Sequence, residues 1–162
     1  MFHFKIDVWN SDIMKNISDL ISVDRVKILD AGDKETALRQ LSGLFASAES
    51  VGNIKELETA IFTRENLLST GIGLGIAIPH VRLRSVTEMT IAIGICRKAI
   101  EYDSFDGQPV NIIIMIASPE GTHKEYLSIL AKIVLLFKNS DVRNKILKAE
   151  AAEDIYSALK GL

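Results

Sequence analysis

The chain has 162 residues, 48% of them hydrophobic and 25% charged, which is enough for one domain of ordinary core and too few for two. Its formal net charge of −2 supplies no basic field for a nucleic-acid backbone, and a single cysteine, Cys96, excludes a disulfide within the chain. The longest uninterrupted apolar run, Ile112 to Ala117, falls far short of the roughly 20 residues that span a bilayer, and Lys5 and Asp7 stand where a signal peptide would be apolar. The expected location is therefore the cytoplasm.

Residues 1–16 read as a loosely held N-terminal arm and 17–162 as one domain. Val26 to Asp30 is a short β-rich run. Asp33 then caps a helix whose apolar positions are Ala37, Leu38, Leu41, Leu44, Phe45 and Ala48. Asn53 with Glu56 resembles a capping box, and Leu57, Ala60 and Ile61 carry helical spacing on towards Arg64. After a glycine-rich segment come two isoleucine-dominated strands, Thr90 to Cys96 and Val110 to Ala117. The second has no polar face beyond Asn111, which predicts a central strand covered on both sides. Cys96 in the first reads as a buried, inert thiol.

Asp106 and Gly107 supply turn chemistry between those strands, and Pro109 sits where the second can begin. Thr122 and Glu125 read as another capping box, with Tyr126, Leu127, Leu130, Ile133, Val134 and Phe137 as one apolar stripe. Two shorter helices are expected from Ser140 and from about Ala152. There is no internal repeat, low-complexity tract or linker. The fold expected is an α/β single-domain sandwich, a mixed β-sheet flanked by helices on both faces.

Candidate chemistry concentrates in Ser69 to Leu83, STGIGLGIAIPHVRL. A dinucleotide fingerprint needs G-x-G-x-x-G between strand and helix, whereas Gly71, Gly73 and Gly75 are spaced G-x-G-x-G and precede a strand-like sequel. No Lys-Ser or Lys-Thr follows to make a Walker loop, and there is no G-x-S-x-G elbow. Two readings of the glycines stay open: amides that cradle an anion, or a tight turn or bulge. Pro79 restricts Ile78 to extended backbone and stiffens the approach to His80. On chemistry alone His80 is either a hydrogen-bonded structural histidine or a reactive one. His3, near the terminus, reads as a surface residue without a role. With Thr122 as N-cap, His123 falls on the first position of a helix, where unpaired amides and the helix dipole favour an anion; an ordinary helix-start histidine is the other reading.

STGIG followed by a glycine and IAIPH resembles the active-site segment of the enzyme IIA domains of the fructose, mannitol and nitrogen-regulatory class in the bacterial phosphoenolpyruvate-dependent phosphotransferase system. Arg64-Glu65, FDGQPV at Phe105 to Val110, and His123 four residues before Leu127-Ser128 keep the same order, so the resemblance spans roughly Ile17 to Leu159. It implies that His80 carries a phosphoryl group, that His123 and Arg64 are active-site partners, and that the loop from Ser69 through Thr70, Gly71 and Gly73 lends phosphate-binding amides. It implies no metal and no cofactor. It also implies an HPr-type phosphocarrier as donor, and as acceptor either a cysteine of an enzyme IIB domain or regulated target proteins, with the chain peripheral to a membrane transporter at most. A non-catalytic binding module on the same fold is the alternative. Three positions depart from the family pattern: Leu68 and Leu74, where glycine and asparagine are usual, and Val81, where a small residue follows the histidine. Arg82 matches the family's lysine or arginine, with its part in holding phosphate left open.

Overall fold

The computed structural model describes residues 17–160, so the expected N-terminal arm, and His3 within it, lie outside the described residues. From Val26 the chain runs β1 (Val26–Leu29), α1 (Lys34–Gly43), α2 (Ile54–Leu67), β2 (Gly71–Gly73), β3 (Ile76–Ala77), β4 (His80–Leu83), β5 (Thr90–Ile100) and β6 (Val110–Pro119). Three helices follow: α3 (His123–Lys138), α4 (Ser140–Leu147) and α5 (Ala152–Lys160).

The two isoleucine-rich strands, β5 and β6, pair antiparallel at the centre of the sheet, and β1 adds parallel to β5. β3 and β4 both run parallel to β6, one against Ile112 and Ile113, the other starting with His80 opposite Ile116. The strand position beside β6 is thus laid down in two pieces, with Ile78 and Pro79 between them. Pro79 has no N–H to give, but its carbonyl accepts from the Ile116 N–H at 2.9 Å, so pairing continues across the break. His80 is held at a fixed register on an edge strand, and β2 folds back antiparallel on β3.

Alternation along the strands sends neighbouring residues to opposite faces. Ile93, Ile95, Ile112, Ile114 and Ile116 pack on one face with Ile129, Ile133 and Phe137 of α3 and with α4 and α5. Ala92, Cys96, Ile113, Met115 and Ala117 pack on the other with Leu38 and Leu41 of α1 and Leu57 and Ile61 of α2. The result is the expected mixed sheet between two helical layers, with β6 buried on both sides. Cys96 is fully enclosed, and burial pushes its thiol up to about 11, so it is inert as expected.

Helix starts follow the expected caps in two cases. Asp33 accepts from the Thr36 N–H at 2.8 Å and Asn53 from the Glu56 N–H at 3.0 Å. Thr122 does otherwise: its backbone, at φ −99° and ψ 41°, lacks the extended geometry of a capping residue, and its hydroxyl donates to the Pro119 carbonyl at 2.7 Å. The capping box at Thr122 and Glu125 is therefore not formed, and the Thr122 side chain makes no capping bond to the first amides of α3. The apolar stripe of α3 is also rotated from expectation. Its buried residues are Tyr126, Ile129, Ile133, Leu136 and Phe137, while Leu127 is 47% exposed. The run ILAKIVLLF is apolar almost all round, so two stripes overlap and packing against the sheet chooses between them.

Candidate active site

His80 follows Pro79 directly, and the extended Ile78 places its own carbonyl beside the imidazole: Nδ1 lies 2.7 Å from the Ile78 oxygen. A carbonyl can only accept, so Nδ1 carries the proton and Nε2 is left with a free lone pair. Burial lowers the His80 pKa most; the Ile78 bond and Glu65 pull it up, while the positive charges of Arg64 and Arg82 push it down. The net shift is downward, which favours the neutral ring.

Around it lies a cavity of about 300 Å³ lined by Arg64, Arg82, Tyr126, Ala60 and Leu83, with Val81 beneath. Arg64, on the last turn of α2, donates one arm of its guanidinium to the Leu68 carbonyl at 2.8 Å, which caps the helix and fixes the cation at the cavity wall. Arg82, two residues beyond His80, donates to Nδ1 of His123 at 2.6 Å and lies over the Tyr126 ring at 5.5 Å. A guanidinium has only donors, so His123 Nδ1 is the acceptor there. The Tyr126 ring packs 5.3 Å from the imidazole at a 47° tilt. A larger groove of about 710 Å³ runs along α2 and joins the cavity through Ala60, Arg64 and Leu83, without bringing another imidazole or thiol.

His80, Arg64 and, through Arg82, His123 are thus brought together. Ser69, Thr70, Gly71 and Gly73 do not line the cavity. The Ser69 hydroxyl donates to the Tyr102 carbonyl at 2.9 Å and accepts from the Gly71 N–H at 3.2 Å. Thr70 gives its hydroxyl to one oxygen of the buried Glu65 at 2.6 Å and its N–H to the other at 2.9 Å, and Lys34 neutralises that carboxylate at 2.8 Å. The Thr70 carbonyl accepts from the Ile78 N–H at 3.0 Å, so the Lys34–Glu65–Thr70 set braces the carbonyl that orients His80.

Close approach at the glycines is made by protein. A Cβ on Gly71 would lie 2.8 Å from the Ser104 Cα, and one on Gly73, at φ +99°, would lie 3.1 Å from Asp106 Oδ2. The β2–β3 register shifts between these two glycines. This geometry favours the turn-and-bulge reading over the anion cradle. The branched Val81 turns inward and packs among the α2-side core, so its bulk is absorbed by the fold. Two further residues support the site. The sequence pattern marks Tyr126 only as core, although its place three residues after His123 sets both on one side of α3. Lys34 carried no local signal at all.

A sequence model of the family described as "Phosphoenolpyruvate-dependent sugar phosphotransferase system, EIIA 2" matches residues 19–161. The chain belongs to this family. Its EIIA sequence is 32% identical over 140 residues to the fructose-specific EIIABC component of Bacillus subtilis, a match covering 86% of this chain and 22% of that protein. It is 31% identical over 145 residues to a nitrogen regulatory protein of Bradyrhizobium diazoefficiens, covering 88% of this chain and 94% of that one. The EIIA fold superposes on the nitrogen regulatory protein IIA-Ntr of Neisseria meningitidis with a TM-score of 0.81 at 28% identity, covering 89% and 99% of the two chains. It also resembles, at a TM-score of 0.73 and 17% identity, a structure of enzyme IIA-mannitol in complex with phosphorylated enzyme IIB-mannitol from Escherichia coli, covering 88% of this chain and all of that one. Among the described residues no helix is long and apolar enough to cross a membrane.

Proposed function

We propose that this EIIA chain carries a phosphoryl group on Nε2 of His80, taken from an HPr-type phosphohistidine protein and passed to an enzyme IIB domain or signalled to regulated targets. The observation that carries the reading is the Nδ1–Ile78 bond, which leaves Nε2 as the free nucleophile inside a cavity flanked by two arginines. The lone pair of Nε2 attacks the donor's phosphorus as the donor's P–N bond breaks and its nitrogen takes back the electron pair. No proton need leave His80, because Nδ1–H stays on the Ile78 carbonyl. Charge in the loose transition state sits on the equatorial oxygens, where Arg64 and Arg82 oppose it. His123, tied to Arg82, and the first amides of α3 are the further donors proposed for the phosphoryl group.

The near full-length match to nitrogen regulatory proteins supports a signalling outlet, and the match to a fructose-specific component supports transport. Labelling with phosphoenolpyruvate, enzyme I and HPr tests the carrier reading. The expected label is acid-labile and base-stable, and it disappears in His80→Ala. A label that survives that substitution and maps to His123 would overturn the assignment.

A further inference from the structure

We propose that the Tyr126 hydroxyl is a hydrogen-bond donor to the phosphoryl group on His80, a contact made only in the phosphorylated state. The inference rests on the carrier reading above and adds a residue to it. Tyr126 is 5% exposed, and its hydroxyl is shut off from solvent with no partner among the described residues. Buried phenols are nearly always paired, and leaving one unpaired destabilises the state that contains it. An acceptor that arrives during function resolves that cost.

The position fits such an acceptor. Tyr126 lines the His80 cavity, its ring packs against the imidazole, and the guanidinium of Arg82 lies over it. Burial pushes the phenol up to about 12, while the positive charges of Arg82 and Arg64 pull it back, so the hydroxyl stays protonated at neutral pH. A protonated phenol in a cavity that two arginines also line suits an anion, and a phosphoryl dianion on His80 Nε2 brings three acceptor oxygens to that wall. Arg82, exposed and bonded to His123, lies 5.5 Å from the centre of the same ring and is free on its solvent side to pair with the phosphoryl oxygens as well.

A cycle of four unfolding measurements at pH 8 tests this: wild type and Tyr126→Phe, each unphosphorylated and chemically phosphorylated with phosphoramidate, with the site mapped by mass spectrometry. Phenylalanine keeps the ring packing and removes only the hydroxyl. Unphosphorylated Tyr126→Phe is expected to be at least as stable as wild type. The change in unfolding constant on phosphorylation should be less favourable in the variant by about tenfold or more, the worth of a hydrogen bond to a charged group. Equal changes within twofold overturn the proposal, as does a clear loss of stability in the unphosphorylated variant, which would mean that the hydroxyl already has a partner. Phosphate mapped away from His80 in wild type is a different failure: it removes the carrier reading, and this inference with it.

Discussion

At the scale of single residues, one backbone carbonyl and burial set the tautomer and charge of His80, on which its proposed role as nucleophile depends. The Ile78 oxygen fixes which nitrogen is free, and enclosure by Tyr126 and the two arginines disfavours the charged ring. The folded-state pKa lies below the ordinary 6.5, so on acidification the unfolded chain takes up its proton first. Stability from this group is complete above about 6.5 and is lost as the pH falls from there through the folded value. Phosphoryl acceptance should therefore stay level as the pH passes below 6.5 and decline only at lower pH. An NMR titration of the His80 ring protons beside a pH–rate profile checks this; a midpoint at or above 6.5 would contradict it. Much of this was legible in IAIPH, because proline before histidine dictates the extended Ile78. The brace behind it was not, since Lys34 and Glu65 meet only when α1 and α2 pack together.

At the scale of elements, the hairpin between β2 and β3 shows how a departure from family pattern is accommodated. Leu74 and Gly75 both have positive φ, 59° and 76°, as two-residue hairpin turns require. Gly75 adopts this freely, whereas Leu74 pays a steric cost of about 1–2 kcal/mol with its side chain 52% exposed. The Asp106 carboxylate holds the turn by accepting from the Leu74 N–H at 3.1 Å. Leu74→Asn should stabilise the protein by about 1 kcal/mol in urea unfolding, because asparagine enters the left-handed region more easily. No gain, or a loss, would show that the leucine contributes packing that offsets its backbone. Strands and turns were well marked by isoleucine runs and by Asp106-Gly107, while α3 was not: with apolar residues nearly all round, only contact with the sheet selects its buried face.

At the scale of the whole molecule, a three-layer sandwich places one edge strand between two helices that each lend a side chain to the same imidazole. α2 delivers Arg64 and α3 delivers Tyr126 and the His123 that anchors Arg82. The sequence order of Arg64, His80 and His123 could be read directly, but their convergence depends on β3 and β4 sharing β6 across the Pro79 break. The glycines were legible as a special segment and not as to purpose, because the atoms they approach, in Ser104 and Asp106, lie some thirty residues away. We expect this architecture to present Nε2 of His80, rather than any other histidine nitrogen, to an incoming phosphoryl group. Long-range ¹H–¹⁵N and ³¹P NMR of the HPr-phosphorylated protein, labelled with ¹⁵N at histidine, tests it most directly. Phosphorus coupled to Nε2 of His80, with Nδ1 still protonated, is the predicted result; phosphorus on Nδ1 of His80 or on the His123 ring would contradict it.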